Sequence, residues 1–546
     1  MTGEDSSIVS RALLLIGGMA VGGVLTAVLV IALVEAARGN APTEAMPAPR
    51  FVAESTGTDH IYHGGFEYFV GGGVAVLDCN ADLLPDLYLA GGTGEAGLFV
   101  NRSEIGGELV FERASSPQLG MTSVSGAYPI DVDSDGIIDL ALLRVGENSI
   151  LRGEGNCGFE PANGLWNVDG GDGWTASFSA TWENGQNLPT LAFGNYLDLE
   201  VEDRSECDDH TIIRPDGGRY GDPVRLSPGW CTLSILFSDW GRRGSADLRM
   251  TNDRHYYSDG QEQLWRIEPG QAPELYSTAD GWKEMQIWGM GIASHDLTGD
   301  GLPEVYLTSQ GDNKLQTLAG ADSAPSYEDM ALAKGATAHR PFIGDTNRPS
   351  TAWHAEFGDV NNDGFIDLFV TKGNVDAMPE FAMRDPNNLL LGQPDGTFVE
   401  GAADADLLDY ARSRGAALVD LNLDGRLDVV VVERQEAARL WRNTGDAGNW
   451  LAVEPRQGAP NNRAIGSWIE VRLGSETIRT EVTIGGGHAG GELGPLHFGL
   501  GEATHAAVRV IWPDGVEGPW HDVEANRIVR VDREAEVVST LFPMRD

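Results

Sequence analysis

A nine-residue acidic turn recurs four times in this chain: DVDSDGIID from Asp131, DLTGDGLPE from Asp296, DVNNDGFID from Asp359 and DLNLDGRLD from Asp420. Each copy offers side-chain oxygens at positions 1, 3, 5 and 9, a glycine at 6 and a backbone carbonyl at 7. This is an oxygen cage for a hard divalent cation; calcium takes about six to eight such ligands, and glycine admits the tight turn. The expected side-chain ligands are Asp131, Asp133, Asp135 and Asp139; Asp296, Thr298, Asp300 and Glu304; Asp359, Asn361, Asp363 and Asp367; and Asp420, Asn422, Asp424 and Asp428. The carbonyls of Ile137, Leu302, Phe365 and Arg426 complete the four sets. A single turn of this kind could equally be an Asx turn that satisfies nearby backbone groups without metal. Four copies with the same closing acid favour calcium, four ions in all.

The flanks of these turns are strands. Ala417-Leu418-Val419 leads into Asp420 and Val429 to Val432 follows it; Phe357 precedes the third turn and Leu368-Phe369-Val370 follows it. An EF-hand would have helices on both sides and a later closing glutamate, so these are hairpin connections in a β-sheet. Degenerate copies extend the series. DCNADLLPD retains Asp78, Asn80, Asp82 and Asp86 but has Leu83 at the glycine position, and would be a fifth calcium site if that turn closes. DWGRRGSAD from Asp239 has Arg243 at position 5, where a guanidinium can pair with Asp239 and Asp247 in place of an ion. FGNYLDLEVED from Phe193 keeps only the entry. Starts near 78, 131, 195, 239, 296, 359 and 420 are spaced for one four-stranded blade each. The expectation is an all-β, seven-bladed β-propeller over residues 51–445, six or eight blades being the alternatives.

From Asn443 the acidic repeat gives way to alternating segments such as WLAVEP, GSWIEVRLG and AVRVIWPDG between glycine turns, which predicts a small β-domain over 446–535 and a tail over 536–546. At the other end, ALLLIGGMAVGGVLTAVLVIALV over 12–34 is 23 residues long, enough to cross a bilayer as one helix. The apolar region of a secretory signal is about 7 to 15 residues, so a retained transmembrane anchor is preferred over a cleaved signal. Residues 1–11 would then be cytoplasmic, 35–50 a Pro/Ala-rich linker and the rest extracytoplasmic, with secretion after cleavage as the alternative. Gly18 and Gly22 offer a GxxxG spacing for helix pairing, leaving the oligomeric state open.

A formal net charge of −44 argues against nucleic acid and anionic membrane surfaces as partners. The four cysteines form no CxxC; Cys207 with Cys231 and Cys79 with Cys157 are the expected disulfides, in keeping with an oxidising compartment. No GxSxG, Walker loop, HExxH or CxxCH occurs. The GxGxxG at Gly92, Gly94 and Gly97 precedes a strand-like run, His60 and His63 read as packed or surface histidines, His497 as a packed one, and His488 in GGGHAGG as a solvated loop residue.

The DxDxDGxxD turns on strands, best copied in FGDVNNDGFIDLFV from Phe357, resemble the FG-GAP or VCBS repeats of integrin alpha-type propellers. The segment Asn462-Arg463-Ala464-Ile465-Gly466, HFGLG from His497 and WPDG from Trp512 resembles an ASPIC and UnbV type domain. The combination is similar to the cartilage acidic protein family and its bacterial relatives, over roughly residues 51–535. That resemblance implies an exported calcium-binding propeller and transfers no catalytic activity. The expected function is a membrane-anchored module that binds a protein or glycan outside the cell or in the periplasm. A propeller enzyme acting on polysaccharide, built around the insertion Glu206 to Tyr257, and an envelope assembly factor are the alternatives.

Overall fold

The computed structural model describes residues 48–183, 185–253, 260–319, 324–337 and 348–543. The apolar run over 12–34 lies outside them; among the described residues no helix is long and apolar enough to cross a membrane. Pro47–Asp546 forms one compact unit.

The body is built of antiparallel four-stranded meanders, seven of them among the described residues. Their first strands are Val74–Leu77, Val124–Ile130, Thr175–Thr181, Thr232–Ser238, Gly289–His295, Ala352–Gly358 and Ser413–Val419, which lie side by side in that order, the last beside the first. The ring closes through the first described strand: Phe51–Glu54 is the fourth strand of the last sheet, paired with Arg439–Asn443. This leaves no free edge between the first and last sheets. The first strands are buried almost throughout and rich in small residues, as in TASFSAT over Thr175–Thr181. Strands next to the axis are packed on both faces and crowded, which favours small side chains. The outer strands carry the larger apolar residues, and sheet packs on sheet through Leu140, Phe178, Phe193 and Leu191 in one sector and Phe369, Val429 and Trp441 in another.

The acidic turns join first to second strands, so topology gathers them at one end of the ring. The second-to-third and fourth-to-next connections lie at the other end. Both cysteine pairs are joined: Cys79–Cys157 links two neighbouring sheets and Cys207–Cys231 links two connections of the opposite end.

One repeat is shifted from its sequence position. Phe193 lies within the second strand Thr190–Asn195, and the turn equivalent to the acidic ones spans 182–190, with Trp182 and Thr190 at its ends. The FGN at Phe193 mimics the FGD entry of the third complete turn by composition only.

The C-terminal region forms two four-stranded sheets, one of Leu496–Gly501, Asn449–Arg456, Arg527–Asp532 and Val537–Pro543, the other of Glu476–Glu481, Trp468–Leu473, His505–Ile511 and His521–Glu524. It also gives a strand to the ring, since Gly491–Leu493 runs parallel to Val74–Leu77.

Candidate functional site

The acidic turns share one backbone path. Positions 4 and 6 are left-handed in all six: Ser134 and Gly136 (φ 56° and 95°), Gly299 and Gly301 (73° and 92°), Asn362 and Gly364 (55° and 90°), Leu423 and Gly425 (54° and 85°), Ala81 and Leu83 (62° and 73°), and Arg242 and Gly244 (52° and 77°). Position 6, whose φ of 77° to 95° lies beyond the 52° to 62° that the side-chain-bearing residues adopt at position 4, is glycine in five of the turns, and Leu83 holds a φ of 73° there at a steric cost. The acid at position 1 fixes the path. Asp131 accepts from the N–H groups of Asp135 (3.1 Å) and Gly136 (3.0 Å), and Asp359, Asp420, Asp78 and Asp239 do the same at positions 5 and 6. Asp296 accepts from Gly301 N–H at 3.0 Å.

The ninth acid ties each turn to the third strand of its own sheet. Asp139 accepts from Val132 N–H on one oxygen and from Gly153 N–H on the other, both at 2.8 Å. Asp367 does so with Val360 and Gly392, Asp428 with Leu421 and Asn443, and Asp86 with Cys79 and Asn101. Glu304 accepts from Leu297 N–H and the Thr317 hydroxyl. At position 7, the N–H groups of Ile137, Leu302, Phe365 and Arg426 donate to Oδ1 of Asp135, Asp300, Asp363 and Asp424.

Burial makes these carboxylates uncomfortable as bare anions. It raises Asp139 to about 8 and Asp420 to about 7, the latter also through the Asp424 charge, and lifts Asp359, Asp367 and Asp428 well above the ordinary carboxylate range. Oxygens of Asp131, Asp133 and Asp139 converge within 4.8 Å of one another. Asn422 Oδ1 and Asp296 Oδ1 are buried with no hydrogen-bond partner. Converging, mutually repelling carboxylates with unanswered acceptor oxygens are a donor set suited to a divalent cation. Competing cations differ between turns. Arg152 reaches Asp133 (2.8 Å) and also pairs with Asp135; Arg479 approaches Asp296 (3.3 Å) and Arg426 pairs with Asp424 (2.5 Å). Nothing in the sequence near Asp131 marks Arg152, which comes from the third strand. In the turn at Asp239, the Arg243 guanidinium pairs with Asp247 at 2.5 Å, while Asp239 is taken by backbone amides.

The C-terminal region sits on this end of the ring and touches turn after turn. Asn461 N–H donates to Ser134 Oγ (2.8 Å) and Arg463 to the Gly136 carbonyl (3.0 Å). Glu481 accepts from Ser238 Oγ and Asp239 N–H at 2.6 and 2.7 Å. Arg479 donates to the Gly299 carbonyl at 3.1 Å. His497 Nε2 meets Asn362 Oδ1 at 2.7 Å and its ring stacks on Trp450 at 5.8 Å, the packed role expected for it.

A glycine-rich segment of the same region fills the middle of the ring. Ile484, Gly485, Gly487 and Gly490 bridge the first strands at Ala180, Leu236, Ile292 and Ala127 in turn. Gly490 is required by proximity, since a Cβ there would stand 2.2 Å from the Val74 carbonyl oxygen. His488 is fully buried, in contrast to the solvated loop expected from its neighbours. Its Nε2 accepts from Gly71 N–H (3.2 Å), so Nδ1–H donates to the Met290 carbonyl (3.0 Å), and burial lowers its pKa to about 3. The glycines that read as loop spacers are what allow backbone to thread between seven crowded strands. Among the other histidines, His60 is buried on the Ala90 carbonyl, and the GxGxxG run enters the strand Gly97–Asn101.

The family models match this architecture. Residues 296–370 and 359–431 match the FG-GAP-like repeat, and residues 457–538 match ASPIC and UnbV. The chain therefore combines segments that match the FG-GAP-like repeat with a C-terminal segment that matches ASPIC and UnbV. It is similar to cartilage acidic protein 1: 27% identity over 236 residues to the Mus musculus protein, covering 42% of this chain and 34% of that one, and 26% to the Homo sapiens protein, covering 42% and 33%. The match thus spans about a third of the length of these relatives. Among solved structures, BBS1N in complex with ARL6DN has a TM-score of 0.42 at 9% identity, covering 72% of this chain and 97% of that one, too remote to carry an argument.

Proposed function

We propose that this chain is an extracytoplasmic, calcium-stabilised, seven-bladed propeller that binds a protein or glycan, tethered to a membrane through residues 12–34. The observation that carries the reading is the filled channel. A propeller enzyme would draw on groups around an open central cleft, whereas here Ile484 to Gly490 run through the ring's middle. The C-terminal domain covers the end with the acidic turns, which leaves the opposite end for contact. That end carries the disulfide-stapled connections at Cys207 and Cys231 and a ring cluster in which Phe66, 43% exposed, stands edge-on to Phe69 and Trp174. The exposed ring of Phe66, held by these two neighbours on a surface connection, is a contact suited to recognition.

Calcium has a structural role in this reading: about four ions, with a fifth at Asp78, hold the turns on which the C-terminal domain rests. The test is binding of the full-length chain to immobilised glycans and extracellular matrix proteins with and without calcium, alongside Phe66→Asp. A saturable interaction lost in chelator and in Phe66→Asp supports the proposal. Binding indifferent to both would sink it.

A further inference from the structure

A cavity of ≈ 520 Å³ lies between the ring and the C-terminal domain, within the size range of small-molecule sites. Its C-terminal wall is one face of the strand Asn449–Arg456. Alternation along a strand puts Trp450, Ala452, Glu454 and Arg456 on the same side, and all four line the cavity. The face therefore runs from apolar to charged over about 20 Å, at roughly 3.3 Å per residue. The parallel neighbour Arg527–Asp532 repeats the gradient in register, Ile528 beside Ala452 and Arg530 beside Glu454, and both also line the cavity. At the apolar end Leu423 of the ring packs with Trp450, Ala452 and Ile528, and Leu418 and Leu427 also line the cavity.

At the charged end, one carboxylate faces three guanidinium groups. Glu454 Oε1 is 2.7 Å from Arg456 and 3.1 Å from Arg463, and Oε2 is 2.7 Å from Arg530. These four groups alone sum to two positive charges, Asp131 of the neighbouring turn acts on Arg463 from outside the lining, and the Nε atoms of Arg456 and Arg463 are buried without a partner. The other charged groups on the lining, Asp78 and Asp420, belong to acidic turns on the ring wall, and Glu492 borders the cavity from the channel segment. A long cavity with greasy walls and a surplus of guanidinium at one end matches one kind of molecule.

We propose that this cavity binds an amphipathic anion, a carboxylate head on an unbranched apolar chain of about 20 Å or less, with the head at Arg456 and Arg530 and the chain between Trp450, Ile528 and Leu427. Shape and charge both enter the recognition. The apolar walls select the chain, and the guanidinium groups select the sign of its head.

The test is calorimetric titration of the full-length chain with three ten-carbon probes below their micelle concentrations: decanoate, decanol and decyltrimethylammonium. The expected result is saturable binding of one decanoate, at least about tenfold tighter than decanol, with decyltrimethylammonium weakest. Arg530→Gln should weaken decanoate about tenfold and leave decanol unchanged. Ile528→Trp should block both by filling the apolar end, and Ala452→Leu does so from the neighbouring strand if the first variant fails to fold. Equal affinity for the three probes, a preference for the cation, or decanoate binding that survives both filling variants would overturn the proposal. The last outcome also separates the cavity from uptake by the apolar run over 12–34.

Discussion

The backbone N–H of His488 donates to His354 Nδ1 at 3.1 Å across 134 residues of sequence, fastening the C-terminal domain to a first strand from inside the ring. The bond leaves His354 Nε2–H to meet Glu356 Oε2 at 3.1 Å, and Trp353 packs edge-on against the His488 ring at 5.0 Å. Docking of the two parts is thus anchored at the axis as well as at the turns.

The first prediction concerns this anchor. Gly490→Val places a branched side chain where Val74 backbone already stands, so the segment cannot occupy the channel and the variant loses more than about 3 kcal/mol. Thermal unfolding of the variant should split into two transitions, and limited proteolysis should open sites between 444 and 495. A single transition at the wild-type midpoint would show that the segment is not needed inside the ring.

Metal affinity should differ between turns in a way that the intruding arginines explain. Calcium at Asp359, the complete turn whose ligands no arginine pairs with among the described residues, should be tightest, and Arg152→Ala should strengthen the site at Asp131 about tenfold by freeing Asp133 and Asp135. Each site held at a hundredfold excess over Kd adds about 2.7 kcal/mol to stability. Calorimetry on wild type, Asp359→Asn and Arg152→Ala checks the order; unchanged titrations in both variants would remove calcium from these turns.

Much of this was legible in the residues, and the reason is local. Positions 1, 5, 6 and 9 of each turn bond to one another or to a strand of the same sheet, so Asp131, Gly136 and Asp139 announce the hairpin by themselves. The C-terminal alternation WLAVEP likewise encodes its strand. What could not be read is whatever joins distant parts of the chain. Arg152 enters a turn from the third strand, Glu481 caps Ser238 and Asp239, and Phe51–Glu54 closes the ring against Arg439–Asn443. GGGHAGG was misleading because glycine marks both a solvated turn and a close backbone approach, and only the neighbours at Val74, Ile292 and His354 distinguish them.

The disulfides should contribute unequally. Cys79–Cys157 spans 78 residues and Cys207–Cys231 spans 24. On chain entropy alone their removal costs on the order of 4 and 3 kcal/mol respectively. Cys79→Ala with Cys157→Ala should therefore lower the unfolding midpoint more than the other double substitution, and the reverse order would show that local packing outweighs loop closure.

The last prediction is a pH dependence seated in the channel. Glu492, from the channel segment, hydrogen-bonds Glu356 of the first strand Ala352–Gly358, and both border a cavity of ≈ 190 Å³. Burial raises Glu356 from 4.5 to about 8, and burial together with the Glu356 charge lifts Glu492 well above its ordinary value. The folded chain then keeps a proton that the unfolded chain releases near 4.5, so unfolding discharges it and stability falls as pH rises from that value through about 8. Below 4.5 both states hold the proton and the contribution is fully present. Glu492→Gln supplies the bridging hydrogen from an amide that does not titrate. In saturating calcium, which keeps the acidic turns ionised, the variant should match the wild type near pH 5 and exceed its midpoint near pH 8. A difference between the two proteins that stays constant over this range would mean that the pair does not share a proton and that the channel segment is held by His488 and its backbone bonds alone.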